Sequence, residues 1–181
     1  MINFFPQLME LYYGRQPSGG QFFSKGQIYF GAPTGVKGNI KNASAYETYQ
    51  GTGWKLGMWN TADKVEWVSN KMTGNVRLSK TLFAGQSAQC TNPDNFYDYE
   101  IDVKNGIYRI RASIGDCFLL TWQKVEFEGV TAGTYQVNPG LFTWTPERTV
   151  RVKDGRLTVR IYLGDQNQKA GISGIVFQQV Y

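Results

Sequence analysis

The sequence predicts an all-β protein, a two-sheet antiparallel β-sandwich, and three observations carry that expectation. Aromatic residues and glycine are abundant, with 11 Tyr, 11 Phe, 5 Trp and 21 Gly, a composition that suits strands joined by tight turns and does not suit a helical bundle. Through the second half, apolar residues recur at every other position, the period of a half-buried strand. Asn-Gly and Asp-Gly pairs then punctuate those runs. The 181 residues fit one domain over 1–181, since domains commonly run to about 100–200 residues. That length is enough to bury a core without covalent help.

The second half gives the elements in order. Tyr99, Ile101 and Val103 alternate with Glu100 and Asp102. Asn105-Gly106 follows, a hairpin signal because both central residues of that turn need positive φ. Tyr108, Ile110, Ala112 and Ile114 then line one face, with Arg109, Arg111 and Ser113 on the other. The same device recurs later: Val150 and Val152 alternate with Arg151 and Lys153, Asp154-Gly155 makes the turn, and Leu157, Val159, Ile161 and Leu163 return. Both segments read as hairpins. Between them Val125 and Phe127 alternate with Lys124, Glu126 and Glu128 before Gly129, and a last strand occupies 172–180.

The first half is less regular. Strands are expected at 27–30, 64–68 and 76–83, and a short helix is hinted at only in 6–13. Long stretches rich in Gly, Asn, Ser and Thr separate them. Ordered loops of that length are usually functional, and the aromatics Tyr46, Tyr49, Trp54 and Trp59 within them argue against disorder.

Composition also excludes. Histidine is absent, which removes Ser-His and Cys-His nucleophilic chemistry, the usual zinc sites and any imidazole proton shuttle. The formal charge of +5 arises in the first half: residues 1–90 hold nine basic and four acidic groups, residues 91–181 ten of each. The excess is scattered lysine, not the dense basic stripe of a nucleic-acid binder, so no nucleic acid is expected. A weak attraction to polyanions, acidic polysaccharides included, is compatible with it. No apolar run approaches the roughly 20 residues that span a bilayer. The opening Met1-Ile2-Asn3-Phe4-Phe5-Pro6 lacks the basic and apolar regions of a signal peptide, so the chain is read as made without one or as a domain cut from a longer protein. Cys90 and Cys117 form no CxxC pattern, and pairing stays open.

The order of these motifs resembles the malectin-like and galactose-binding-like carbohydrate-binding modules. In that family an aromatic-led strand, an Asn-Gly turn and a strand ending in Gly-Asp precede an aromatic loop. A strand closing on Glu-Gly, a Val-rich strand, Asp-Gly and a final Ile-containing strand follow. Here the matching residues are Phe96 to Ile110, Ile114-Gly115-Asp116, Val125 to Gly129, Thr149 to Val159, and Gly171-Ile172-Ser173-Gly174-Ile175. The start Ile2-Asn3-Phe4-Phe5-Pro6 is similar to the family's opening, with Phe5 in place of glycine, and Gly53-Trp54 is similar to a Gly-Trp pair of some members. The segment 84–95 lacks the Arg-Tyr-Gly of malectin itself.

The resemblance implies a jelly-roll sandwich that binds a polysaccharide or oligosaccharide and catalyses nothing. Such a module is often attached to a larger enzyme or adhesin and placed outside the cell or on a cell or virion surface. It points to Phe118, in the loop after Gly115-Asp116, and to Asp165, before the final strand. Trp122 is a second aromatic at that end, and Trp54 and Trp59 would complete a platform. Tyr97 is read on the polar side of the alternation that begins at Tyr99, hence exposed. Each has a plainer reading: Phe118 continues a strand, Asp116 caps a turn, and tryptophans fill cores. Trp67, inside a strand-like run, reads as core. Arg109, Arg111, Arg151 and Arg160 fall on outward sides, as a solvated face or, where strands adjoin, a basic stripe able to meet uronate or sulfate.

Related sandwiches often hold calcium, but no clustered oxygen-ligand motif is visible, so metal ligands stay unassigned and no other cofactor is expected. Two further classes compete with the glycan reading. One is a structural or attachment domain of a larger assembly, such as a phage tail fibre. The other is a glycosidase or lyase using two of Asp94, Asp98, Asp116, Glu147 and Asp165, although no spacing identifies a pair.

Overall fold

The structure, a computed structural model, describes residues 25–30, 52–55, 64–70, 73–79, 96–164 and 169–180. Every regular element in them is a strand: β1 Lys25–Tyr29, β2 Thr52–Lys55, β3 Lys64–Ser69, β4 Gly74–Ser79, β5 Phe96–Asp102, β6 Gly106–Gly115, β7 Thr121–Phe127, β8 Val130–Val137, β9 Phe142–Trp144, β10 Arg148–Val152, β11 Arg156–Leu163 and β12 Ala170–Gln179. They form two antiparallel sheets. One runs β10-β6-β12-β4-β3, with β1 also paired to β12 and β9 to β6; the other runs β2-β5-β11-β7-β8. The chain is therefore an all-β, two-sheet antiparallel sandwich.

The alternation read from the sequence marks the core. Tyr97, Tyr99 and Ile101 of β5, Tyr108, Ile110, Ala112 and Ile114 of β6, and Leu157, Val159, Ile161 and Leu163 of β11 are all buried. Their removal from water is the main driving force for the two sheets to stack. Four aromatic rings interlock at one end of this core: Phe30 and Tyr99 lie 4.9 Å apart, Trp54 and Tyr99 5.0 Å, and Trp54 and Tyr97 6.3 Å, each edge to face. Such pairs add about 0.5–1.5 kcal/mol each beyond the area they bury.

The two expected hairpins are not hairpins. β5 lies in the five-stranded sheet and β6 in the seven-stranded one; β11 and β10 are divided in the same way. Asn105-Gly106 and Asp154-Gly155 are instead corners where the chain passes from one sheet to the other. They sit together: Val103 N–H donates to Gly155 O at 2.9 Å, and Gly155 N–H donates to Asn105 Oδ1 at 2.8 Å. Alternation identifies the inward side of a strand but not its sheet, because both sheets face the same core. The tight two-residue hairpin joins β7 to β8 at Glu128-Gly129, with φ of 49° and 75°. Glu128 tolerates this left-handed conformation while its carboxylate accepts the Thr158 N–H at 2.6 Å.

One close approach fixes how β12 meets the end of β6. A Cβ on Gly171 would stand 2.2 Å from Gly115 O, so only glycine allows the two backbones to touch there. Gln123 completes the junction. Its side chain is fully buried, accepting the Gly171 N–H at 2.7 Å and donating to Gly171 O at 3.1 Å.

Candidate functional site

The segment between β6 and β7 is organised by Asp116. Its side chain is wholly buried, and the Arg77 guanidinium of β4 grips it through two bonds, Nε to Oδ2 at 2.9 Å and Nη2 to Oδ1 at 2.8 Å. Asn75 Nδ2 donates to Oδ2 at 2.9 Å, while the N–H groups of Phe118 and Leu119 donate to Oδ1 at 2.8 and 3.0 Å. Burial alone would raise the Asp116 carboxyl; the Arg77 guanidinium, the Phe118 N–H and the Asn75 amide together hold it below the usual carboxylate value. Asn75 also accepts the Cys117 N–H at 3.0 Å, and Gly140 N–H donates to Asp116 O at 2.8 Å. The loop is thus anchored from below on β4 and from the side on the β8–β9 turn.

What this anchor presents to solvent is apolar. Phe118 is 54% exposed, Leu141 59%, and Leu119 and Leu120 are exposed beside them. Trp122 follows at the start of β7, half-buried on the outer face of the five-stranded sheet. Its backbone N–H donates to the Lys169 backbone O at 2.9 Å and its cross-strand neighbour is the exposed Gln136. This part of the molecule therefore carries one exposed aromatic ring, a second half-buried one, and the exposed Gln136 across from it on β8.

Of the expected residues, Phe118 is exposed in the loop after β6 and Trp122 is half-buried on the outer side of β7. Trp54 is 1% exposed and belongs to the core, so it offers no platform; it lies on β2, not in a loop. Tyr97 is likewise core. It shares the parity of Tyr99, which turns it inward, and its hydroxyl donates to Ser79 O at 2.7 Å. Asp116 is a buried anchor whose oxygens are already occupied. Trp59 and Asp165 lie outside the described residues. Trp67 departs from its expected core position: it is 44% exposed on β3, an edge strand of its sheet among the described residues.

Leu119, Leu120 and Leu141 were not anticipated. A signal for two of them was present, since three consecutive apolar residues (Phe118, Leu119, Leu120) cannot all face inward from a segment of period two. Trp144 of β9, 43% exposed with the Arg111 guanidinium 4.6 Å from its ring centre, carried no such signal. The four arginines do not form one stripe. Arg109 and Arg111 on β6 lie beside Arg151 on β10, whereas Arg160 is in the other sheet, doubly bonded to Asp98 at 2.8 Å and 2.8 Å.

Among the described residues no group of three or more His, Cys, Asp or Glu side chains comes together to hold a metal ion. Cys117 is a free, buried thiol, pushed up by burial; Cys90 lies outside the described residues.

No family model and no curated protein matches the chain. Among solved structures it is similar to the YxiM protein of Bacillus subtilis, with 19% identity and a TM-score of 0.53 over 85% of this chain and 39% of that one. It is also similar to a family 36 carbohydrate-binding module solved with calcium and xylotriose, at 16% identity and TM-score 0.40, covering 64% of this chain and 88% of the module. A family 35 carbohydrate-binding module from Clostridium thermocellum gives 13% identity and TM-score 0.39 over 69% and 91%. The chain spans 39% of the length of the YxiM protein, and at that identity the likeness is one of fold: an antiparallel sandwich built as this one is.

Proposed function

We propose that the domain is a non-catalytic carbohydrate-binding module whose contact surface is the loop end bearing Phe118 and Trp122. The observation that carries this reading is the exposed Phe118 ring on a loop made rigid by a buried, five-fold bonded Asp116. A pyranose has an apolar C–H face that packs on an aromatic ring, and a ring already held in place loses little conformational freedom on binding. Gln136, exposed across from Trp122, supplies an amide for hydroxyls. The modules to which the fold is similar in outline point the same way, and an extracellular setting as one part of a larger protein accords with that.

A non-catalytic role is supported by the state of the carboxylates. Asp98 is held by Arg160, Asp116 by Arg77, and Glu147 lies 3.8 Å from Arg109 on the surface. Asp94 and Asp165 are outside the described residues. Hydrolysis of a glycoside needs two carboxyls facing one cleft, and these three face different surroundings.

The test is a screen of neutral and acidic glycans at two salt concentrations, with Phe118→Ala and Trp122→Ala beside the parent. Loss of neutral-glycan affinity by about tenfold or more in either variant, equivalent to about 1.4 kcal/mol, with an unchanged melting temperature, is the expected result. The aliphatic neighbours Leu119, Leu120 and Leu141 favour a second reading, an attachment domain that presses this end on a partner protein. Glycan binding untouched by both variants, or absent from the parent, would sink the first reading in favour of that one.

A further inference from the structure

We propose a second binding site, for an anionic polysaccharide, on the outer face of the seven-stranded sheet around Arg109, Arg111, Arg151 and Trp144. It shares with the loop-end reading only the ligand class, a glycan, and stands on different residues. Inward-facing Tyr108, Ile110 and Val150 oblige their neighbours Arg109, Arg111 and Arg151 to point outward. The register of β6 with β10 sets Arg109 opposite Thr149 and Arg151 opposite Ile107. Outward side chains on one strand are about 6.8 Å apart and neighbouring strands about 4.8 Å, so the three guanidinium groups spread over one flat area.

Opposite charge is scarce there. Among the described residues neither Arg111 nor Arg151 has a carboxylate within ion-pair distance, and Arg109 has Glu147 alone, at 3.8 Å with both side chains more than half exposed. An exposed pair of that length contributes about 0–1 kcal/mol and is easily displaced. The arginines are thus free to offer planar, two-pronged hydrogen bonding to a carboxylate or sulfate.

The rest of the face suits a sugar rather than a bare polyanion. Trp144 lies beyond Arg111 on β9, in register with Ser113, and presents an exposed ring stacked against the Arg111 guanidinium. Across β12 the face continues through Gln178, opposite both Arg109 and Lys25, and then through Gln27 and Tyr29 of β1. Amides and a phenol are partners for hydroxyls. Charge for the acidic group, a ring for the pyranose face and amides for the hydroxyls together match a uronate or sulfated glycan.

Binding of the whole chain to a polyuronate, a sulfated glycosaminoglycan, a neutral xylan and single-stranded DNA would be measured at low and moderate salt. The Arg109→Ala/Arg111→Ala double variant is expected to lose polyuronate or sulfated-glycan affinity by about tenfold or more, as removal of charge-assisted bonds does. Trp144→Ala should weaken the same ligand with little change in its salt dependence, and Glu147→Gln should tighten it. Which of the two polymers responds identifies the acidic group as carboxylate or sulfate. Neutral-glycan binding reports on Phe118 and Trp122 instead, so the two sites succeed or fail separately. Acidic-glycan binding that is absent, or unchanged in the double variant, would overturn the proposal. Equal, equally variant-sensitive binding of single-stranded DNA would overturn it too, by making the face a general polyanion surface.

Discussion

The two outer faces of the sandwich use their charged side chains in opposite ways. On the five-stranded sheet, acids of β5 stand directly across from partners on β11: Asp98 opposite Arg160, Asp102 opposite Arg156, and Glu100 opposite Thr158, whose hydroxyl donates to it. The pairs are made, with Arg160 doubly bonded to Asp98 and its ionised form further favoured by that bond, and with Lys124 2.6 Å from Glu126 and over the Tyr162 ring. On the β6–β10 face the arginines stand across from Thr149, Ile107, Val176 and Gln178. Cross-strand pairing of opposite charges stabilises a sheet; leaving them unpaired keeps them available to a ligand. Register therefore separates a face that serves the fold from one open to binding.

That contrast breaks most readily where a charge is fully consumed. Asp116→Ala strips Arg77 of its buried partner and should cost about 3–5 kcal/mol, the usual penalty for removing one member of a buried pair, read from chemical denaturation. Its pH dependence has a definite sign. Because the folded carboxyl sits below its ordinary value, the contribution is present above the unfolded carboxylate range and is lost as pH falls through the folded pKa. The parent should lose stability on acidification, and Asp116→Ala should lose less. A variant as acid-sensitive as the parent would show that other carboxyls dominate.

Next in size is Asp98→Ala on the five-stranded face, expected to cost about 1–3 kcal/mol through the loss of two charge-assisted bonds at a partly exposed site. The smallest effect belongs to the open face. Arg151→Ala should change stability by no more than about 0.5 kcal/mol, since among the described residues its exposed guanidinium makes no ion pair. Equal losses at Asp98 and Arg151 in the same denaturation series would erase the distinction between the faces.

Burial acts residue by residue, and for that reason the inward sides of β5, β6, β7 and β11 were legible from alternation alone. Which sheet a strand joins depends on pairing partners far along the chain, a property no local period encodes, and so the two corners passed for hairpins. Side-chain exposure was legible in part for a similar reason. The Gly115-Asp116 step marks the loop where Phe118 is exposed, whereas Tyr97 shares the inward parity of Tyr99 and Trp54 sits on a strand too short to show a period. Asp116 reads equally well as ligand or anchor until Arg77 and Asn75, some forty positions earlier, are seen beside it.

The corner formed by Asn105 and Gly155 bears on how the chain comes together. The two residues are 50 positions apart, and their bond extends the β5–β11 ladder, in which Arg156 stands opposite Asp102, into the corners that lead to β6 and from β10. Closing so long a loop costs entropy before any contact rewards it. The corner works as a latch at which both sheets are held side by side, so a loss of Asn105 Oδ1 would be felt by two sheets at once.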